Sequence, residues 1–295
     1  MPISVLESAA RSVRTLLSGS PTGEPEWVLE IAEPGDAGLF GPDSMVWRVH
    51  SYPATLVGGV RALILQTLEP LSLGGVLEHS RFREDPISRL QNTARFVTVT
   101  SFASTEMVER ECAMVRAIHA RVEGVLPDGR TYSASDPVLL RHVHISLVDS
   151  FLTSHQQLAP QSLSAEEADR YVEEMNALAP LLGFDSVPLP HSVEELRGML
   201  KPEAFGMEVS DATRETLRYL AWPPLALVQL PAYSVFHRAA LCLLPAEVRD
   251  ALPAPCPPLV PALDIAAGSV LVRTLSVLLG KSPAMLAAET RIRGL

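Results

Sequence analysis

Apolar positions recur at helical spacing along most of the chain, and the clearest case is the segment Glu106–Gly124. Charged residues take one side of this segment, and the other side is a stripe spaced every three or four residues. The stripe holds Val108, Cys112, Val115, His119 and Val122. Gly124 stands where a C-cap is expected. The pattern therefore predicts an amphipathic helix over Glu106–Gly124 with His119 pointing inward.

Further helices are predicted where apolar periodicity follows a capping signal. Asp85–Pro86 and Asp136–Pro137 each place a cap before a proline at the first helical position. Ser164 and Ser192 each begin a capping box with a glutamate three residues later. The predicted helices are Ile3–Leu17, Gly58–Glu69, Leu71–His79, 86–103, 106–124, Val138–Leu152, 164–182, Asp211–Ala221, 225–243 with a kink at Pro231, and 264–279.

The sequence predicts an all-α fold, because no alternating run is strong enough to indicate a sheet. We expect roughly nine to twelve helices. An N-terminal helix and linker cover residues 1–25, and a single helical domain covers residues 26–295. Trp27–Trp47 is rich in glycine and proline and is predicted to be a structured loop.

Composition narrows the class of protein. Hydrophobic residues make up 47% of the 295 residues, aromatic residues only 5%, and the net charge is −10. This balance favours a helical globular core and argues against nucleic-acid binding, which needs a basic face. The first fifteen residues lack the apolar region of a secretory signal. The three cysteines show no paired spacing, so we expect a reducing, cytoplasmic location.

No membrane-spanning helix is expected from the sequence. The closest window, Ala262–Leu279, is apolar but is interrupted by Asp264 and Arg273. A spanning helix needs about 20 predominantly apolar residues.

Several kinds of catalytic site are disfavoured. The chain has no G-x-S-x-G elbow, no HExxH motif and no glycine-rich phosphate loop. His142 and His144 are two residues apart on a predicted helix and would point in different directions. A non-haem iron site needs two histidines and a carboxylate, and the spacing of these residues in the sequence does not indicate such a set.

A haem site needs less: one axial donor, an apolar slot and a few polar groups on the open face. His119 on its apolar stripe supplies the donor and the slot. Two alternatives stay open on the residues alone. His119 also fits a core histidine bound to a backbone carbonyl, and Cys112 on the same stripe also fits a thiolate ligand.

A series of short motifs runs in order from about Gly35 to Leu252. The motifs are Gly35-x-x-Gly38-Leu39-Phe40 with Pro42, Ser44 and Trp47; Gly59-x-Arg61-Ala62-Leu63; Gln66 with Pro70; His79-Ser80 with Asp85-Pro86; Arg89-x-x-x-Thr93; His119-x-x-Val122-x-Gly124; and Tyr132-x-Ala134-x-Asp136-Pro137-x-Leu139-Leu140-x-x-x-His144. Taken in this order, the set resembles the catalytic domain shared by the latex clearing proteins (rubber oxygenases) and the fungal MpaB oxygenases.

The resemblance implies a globin-like helical cradle that binds haem b between the helices 86–103, 106–124 and 137–152. It implies that His119 is the proximal ligand and that Arg89 and Thr93 lie on the distal side, where dioxygen binds. The implied activity is oxidative cleavage of a C=C bond in a hydrophobic, isoprenoid-like substrate. A guanidinium and a hydroxyl both suit this place, because each can donate to developing negative charge.

Three departures from the family pattern bear on the substrate. Asn92 replaces a lysine that can cap the iron, Glu69 replaces a histidine before Pro70, and His142 replaces a tryptophan. No acid is assigned as the distal base. The alternatives are a haem peroxygenase or hydroxylase of a biosynthetic intermediate, and a non-catalytic helical protein that binds haem or lipid. Arg89 on its own also fits an ion pair with Glu84 or Asp85.

Overall fold

The helix Pro137–Leu158 lies at the centre of the fold and buries side chains on every side. The Asp136 carboxylate accepts a hydrogen bond from Val138 N at 2.7 Å, which caps the helix as the sequence predicts. The computed structural model describes residues 5–81, 83–253 and 258–294. Within these residues the fold is all-α, and the sheet consists of two short strands.

Numbered in chain order, the elements have the following bounds: α1 (Val5–Ser18), α2 (Glu26–Glu30), α3 (Met45–His50), α4 (Ala54–Gln66), α5 (Pro70–His79), α6 (Pro86–Phe102), α7 (Thr105–His119), β1 (Glu123–Val125), β2 (Thr131–Ser133), α8 (Pro137–Leu158), α9 (Ala165–Met175), α10 (Ala179–Leu182), α11 (Val193–Met199), α12 (Pro202–Phe205), α13 (Asp211–Ala221), α14 (Leu230–Cys242), α15 (Ala246–Ala251), α16 (Pro261–Leu279) and α17 (Pro283–Arg293).

Two apolar clusters form the core, one on each side of α8. The first joins the last turn of α6 and the first half of α7 to α3, α9 and α17. The second joins α4 to α14 and α16. α8 packs closely on α4 because Gly58 has no side chain: a Cβ there would lie 2.8 Å from the Phe151 ring.

A buried ion pair crosses the seam between α4 and α8. Arg61 Nη2 lies 2.6 Å from Asp149 Oδ2, and both side chains are almost fully buried, at 2% and 3% exposed. Arg61 also donates to Ser150 Oγ at 2.7 Å and to the Leu243 carbonyl oxygen at 3.0 Å. These partners satisfy a charge that would otherwise be costly to bury.

Several predicted helix boundaries are wrong, and the causes are local. α4 begins at Ala54 rather than Gly58, and α8 continues to Leu158. Pro231 lies in the first turn of α14, where proline is tolerated, and so it produces no kink. The described helices exceed the expected number because short helices interrupt predicted loops. The start of the predicted helix Ile3–Leu17 lies outside the described residues.

α7 ends at His119, five residues before the predicted end. The next residues form a hairpin in which Gly124 pairs with Tyr132 across β1 and β2. Gly124 is therefore not a C-cap. A Cβ at this position would overlap the Tyr132 hydroxyl, which donates a hydrogen bond to Glu78 Oε2. The three-residue strands are too short for alternation to indicate them, although Asp128–Gly129 is a typical hairpin tip.

α16 is long and apolar enough to cross a bilayer by length and composition. α4 and α5 pass the same test only as one unit, with a bend of 103° between them. Neither feature establishes a membrane span, because packed helices of soluble proteins have the same composition. The expectation that no helix spans a membrane therefore stays a prediction.

Candidate functional site

The helices α6 and α7 run antiparallel and are joined by Ala103 and Ser104. An ion pair between Arg95 Nη2 and Glu111 Oε2, at 2.9 Å, bridges them midway. Buried side chains are confined to the last turn of α6 and the first half of α7. Beyond the bridge, the facing side chains are only half-buried or exposed. One end of the pair is therefore buried in the core. At the other end, which we call the open end, the side chains are half-buried or exposed.

His119 lies at this open end, in the last turn of α7. Its side chain is half-buried, and burial lowers the pKa of the imidazole. Within the described residues, neither ring nitrogen has a hydrogen-bond partner. The prediction that His119 points into the core is thus only partly met: Val108 and Cys112 on the same stripe are buried, while Val115, His119 and Val122 are half-buried. A neutral imidazole with free nitrogens is a suitable metal donor.

Cys112 is a poor competitor for this role. Its side chain is buried in the core, where desolvation raises the pKa of the thiol to about 11. A ligand must be the thiolate. The structure thus keeps Cys112 protonated at neutral pH and one to two turns away from the open end.

Arg89 also lies at the open end, near the start of α6. The register fixed by the Arg95–Glu111 bridge places it opposite the last turn of α7. Arg89 Nη1 donates to Ser80 Oγ at 2.6 Å, and burial lowers the pKa of the guanidinium. Among the described side chains no carboxylate pairs with it; Glu84 pairs with Arg81 instead. Arg89 therefore carries a half-buried positive charge without a counter-ion.

Thr93 follows Arg89 by one helical turn on the same face. Its side chain is exposed, and its hydroxyl donates to the Arg89 carbonyl oxygen at 3.0 Å. To donate toward the open end, the hydroxyl has to rotate away from this bond. Asn92, beside it, is also exposed. The first turns of α6 thus present an arginine, an amide and a hydroxyl to one region.

The β1–β2 hairpin closes off the end of α7 and attaches it to α5. Tyr132 packs against Gly74 and Gly75 of α5. His79 Nε2 lies 3.0 Å from the Glu123 carbonyl oxygen. Together with the Tyr132–Glu78 bond, these contacts fix the position of the residues that follow His119. Such a support is what a positioned donor requires.

α8, the third helix of the implied haem cradle, makes its extensive packing with α4 and has little or no contact with α6 and α7. His142 stacks on Phe205 with ring centroids 4.6 Å apart, and His144 lies against Phe184 at 5.1 Å. His142 Nδ1 and His144 Nε2 are buried and have no hydrogen-bond partner among the described residues. Burial lowers the pKa of His144 to about 4. The two rings point to different neighbours, as their spacing predicts.

Glu69, a departure from the family pattern, has a local structural role. Its carboxylate is buried and accepts from Leu71 N at 3.2 Å and from Ser72 N at 2.5 Å, which caps α5. Anions are favourable at this position of a helix.

In the part of the chain that the structure describes, no three His, Cys, Asp or Glu side chains converge as metal ligands. A cofactor that needs one protein donor suits this donor set better than one that needs three. A cavity of about 330 Å³ lies elsewhere, against the buried Arg61–Asp149 pair. Its lining contains none of the predicted site residues.

Sequence reasoning thus identified Arg89, Thr93 and His119, which the structure brings to one end of the α6–α7 pair. Their chemical roles stay predictions. It did not identify Ser80 as the partner of Arg89, nor the bond between Tyr132 and Glu78. Ser80 and Tyr132 both stand in the motifs quoted above, but a motif does not show which side chain its residues contact.

A comparison with known families is decisive about the class. The family model described as "ER-bound oxygenase mpaB/B'/Rubber oxygenase, catalytic domain" matches residues 47–277, a span that contains every candidate site residue. No curated protein and no solved structure is similar enough to count as a match. The matched residues make up well over half of the chain, so this protein belongs to the family of the mpaB/B' and rubber oxygenases and is an oxygenase catalytic domain.

Proposed function

We propose that this oxygenase uses haem b and dioxygen to cleave a C=C bond of a hydrophobic, isoprenoid-like substrate. The observation that carries the proposal is the pair of side chains at the open end of α6 and α7. There the imidazole of His119 lies at the same end as the guanidinium of Arg89, and within the described part of the chain the first has no hydrogen-bond partner and the second no carboxylate partner.

The residues present fit a haem group. His119 would bind the iron through a ring nitrogen, and the hairpin on α5 would fix the direction of that helix end. Arg89 and Thr93 would lie on the opposite face. When bound, the haem supplies redox chemistry with dioxygen that no side chain of the protein can provide.

The protein's own contribution is electrostatic. Arg89 is always protonated, and among the described residues its partner is the Ser80 hydroxyl. The guanidinium is therefore available to stabilise negative charge as dioxygen reacts. Thr93 would add a weaker, neutral donor after its hydroxyl rotates. No acid is assigned as a base.

The surroundings favour an apolar substrate. Met114 and Ile118, one turn apart on α7, are exposed beyond the Arg95–Glu111 bridge. These side chains offer apolar contact to a substrate that approaches the site. We place the reaction in the cytoplasm, in keeping with the free, buried Cys112 and Cys242.

The test is haem binding by the purified protein. Wild-type protein loaded with haem should show a Soret band, His119→Ala should lose most of the haem, and Cys112→Ala should keep both haem and spectrum. Cys112→Ala is the matched control because it lies on the same face of α7. A His119→Ala protein with normal haem content and spectrum would end the proposal.

A second measurement identifies the reaction. Incubation of the haem-loaded protein with isoprenoid candidates under labelled dioxygen should give cleaved carbonyl products that contain the label. Label-free products that form only with added peroxide would indicate a peroxygenase instead.

A further inference from the structure

One face of α16 is apolar and open to solvent. The exposed residues recur every three or four positions and therefore form a single stripe along the helix. At 1.5 Å per residue the stripe is about 20 Å long. Its members are Ala262, Leu263, Ala266, Ala267, Val270, Thr274 and Val277, and the exposed Arg273 lies along one edge of the stripe. Val277 is 87% exposed. An exposed apolar surface of this extent on a soluble domain marks an interaction site.

The opposite face of α16 is attached to the protein. Gly268 lies so close to α14 that a Cβ there would be 2.8 Å from the Ala239 Cβ. Asp264 Oδ1 pairs with Arg238 Nε at 2.7 Å, and Val272 and Leu275 are buried. To cross a bilayer, α16 would have to break these contacts. Its geometry instead suits a helix that lies flat with one face outward.

More apolar side chains lie at the C-terminal end of α16. The helices α14 and α16 run antiparallel, since Cys242 lies beside Asp264 and Ala239 beside Gly268. The loop before α14 is therefore at the end where Val277 lies. Leu227 and Val228 in this loop are 85% and 84% exposed, and Trp222 is also exposed. Tryptophan is favoured where an apolar phase meets water.

The border of the stripe is positively charged. A groove of about 970 Å³ between α1 and α16 contains Arg11, Arg14 and Arg273, with Glu7 as the acid among its lining residues. Arg14 donates to the Leu279 carbonyl oxygen at 3.2 Å, whereas Arg11 has no partner within the described residues. The chain as a whole carries a net charge of −10. The three arginines at the edge of the apolar stripe thus form a local positive charge on a protein whose net charge is negative.

We propose that this protein docks on anionic phospholipid bilayers through the exposed stripe of α16, with Arg11 and Arg273 at the headgroups. The apolar stripe, the exposed tryptophan and the cationic border are the three features of a helix that binds flat at a membrane surface. A second copy of the chain is less suited as the occupant. One helix face of this size buries a few hundred Å² at most, against about 800 Å² per partner in a stable complex.

The experiment is vesicle co-sedimentation of the full-length protein with phosphatidylcholine, alone or mixed with phosphatidylglycerol. Wild-type protein should sediment with the mixed vesicles and much less with phosphatidylcholine alone. The variant Val270→Asp/Val277→Asp should bind at least tenfold more weakly. Arg11→Gln and Arg273→Gln should each weaken binding to mixed vesicles about fivefold and leave the weak binding to phosphatidylcholine unchanged.

The matched control is Leu29→Asp/Leu286→Asp, which places the same two negative charges on exposed apolar positions of α2 and α17. It should bind vesicles like the wild type, and all variants should keep the wild-type melting temperature. Equal binding by Val270→Asp/Val277→Asp and wild type would overturn the proposal, as would a wild-type protein that stays in the supernatant. Light scattering is the further check: a wild-type dimer that Val270→Asp/Val277→Asp converts to a monomer would assign the stripe to a second copy instead.

Discussion

Two arginines of this protein, Arg61 and Arg89, lie in opposite electrostatic situations. Arg61 is buried in the seam between α4 and α8, with Asp149, Ser150 and the Leu243 carbonyl oxygen as partners. Arg89 is half-buried at the open end of α6 and α7, where the Ser80 hydroxyl is its partner among the residues that the structure describes. The first charge is neutralised inside the fold, and the second is left for something that the protein does not itself supply.

This contrast separates an arginine that stabilises the fold from one that is suited to chemistry. A buried charge is tolerable only when it is paired, so the Arg61 site has no capacity left for a further anion. A half-buried guanidinium without a carboxylate has its electrostatic attraction still available. Both arginines stand in the sequence motifs, and only the structure distinguishes them.

The largest expected effect comes from breaking the buried pair. Asp149→Ala leaves the Arg61 guanidinium buried without its counter-ion and should lower the free energy of unfolding by about 3–5 kcal/mol. Denaturant unfolding measures this loss. The control is Arg61→Met/Asp149→Leu, which removes both charges and should recover most of the stability. If Asp149→Ala is as stable as the wild type, the ion pair does not stabilise the packing of α4 on α8.

Arg89→Ala should give the reverse result. Its free energy of unfolding should change by less than about 1 kcal/mol, because a half-buried side chain with one hydroxyl partner is lost. Turnover by the haem-loaded enzyme should fall by about two to three decades, or about 3–4 kcal/mol in activation free energy. Haem content should stay normal. An Arg89→Ala enzyme that is unstable but turns over normally would make Arg89 equivalent to Arg61.

Much of the fold followed from local signals in the sequence. The caps at Asp85, Asp136 and Ser164 mark true helix starts, because a side-chain oxygen there satisfies free backbone N–H groups regardless of the tertiary context. The end of α7 did not follow. Its helical periodicity continues through Val122, but the pairing of Gly124 with Tyr132 outweighs it. Tertiary contacts of this kind are not encoded in the period of one segment.

The candidate site was predictable in its residues and not in its contacts. Arg89, Thr93 and His119 come from the resemblance, and their meeting at one end follows from the α6–α7 hairpin. The exposure of that end was not predictable, because the stripe from Val108 to Val122 is uniformly apolar around His119. Which helix face is covered depends on elements distant in sequence, such as α10, whose Leu181 carbonyl oxygen accepts from Arg116.

Acid should lower the free energy of unfolding, because the buried imidazole of His144 must then become protonated. Burial lowers the pKa of its imidazole to about 4 from 6.5. Between these pH values the imidazole is protonated in the unfolded chain and neutral in the folded protein. The contribution to stability is complete above pH 6.5 and decreases as the pH falls toward 4, by about 3 kcal/mol in total. When the free energy of unfolding is measured between pH 4 and 6.5, its dependence on pH should be weaker for His144→Gln than for the wild type.

The smallest change is also the most direct probe of the open end. Asn92 is exposed and follows Arg89 by three residues on α6. It stands at the position where the resemblance to the rubber oxygenases implies a lysine. Asn92→Lys should cost no stability, because the side chain stays in solvent. If this face of α6 looks toward the haem iron, the new amine should bind it once deprotonated, since only the neutral form has a lone pair. The ferric absorption spectrum should then change from five- to six-coordinate at high pH and revert at neutral pH.

Asn92→Gln, which has no basic amine, is the control and should show no such pH dependence. A folded, haem-loaded Asn92→Lys protein whose spectrum is the same at every pH would place position 92 away from the iron, and the assignment of Arg89 and Thr93 to the distal side would fall with it.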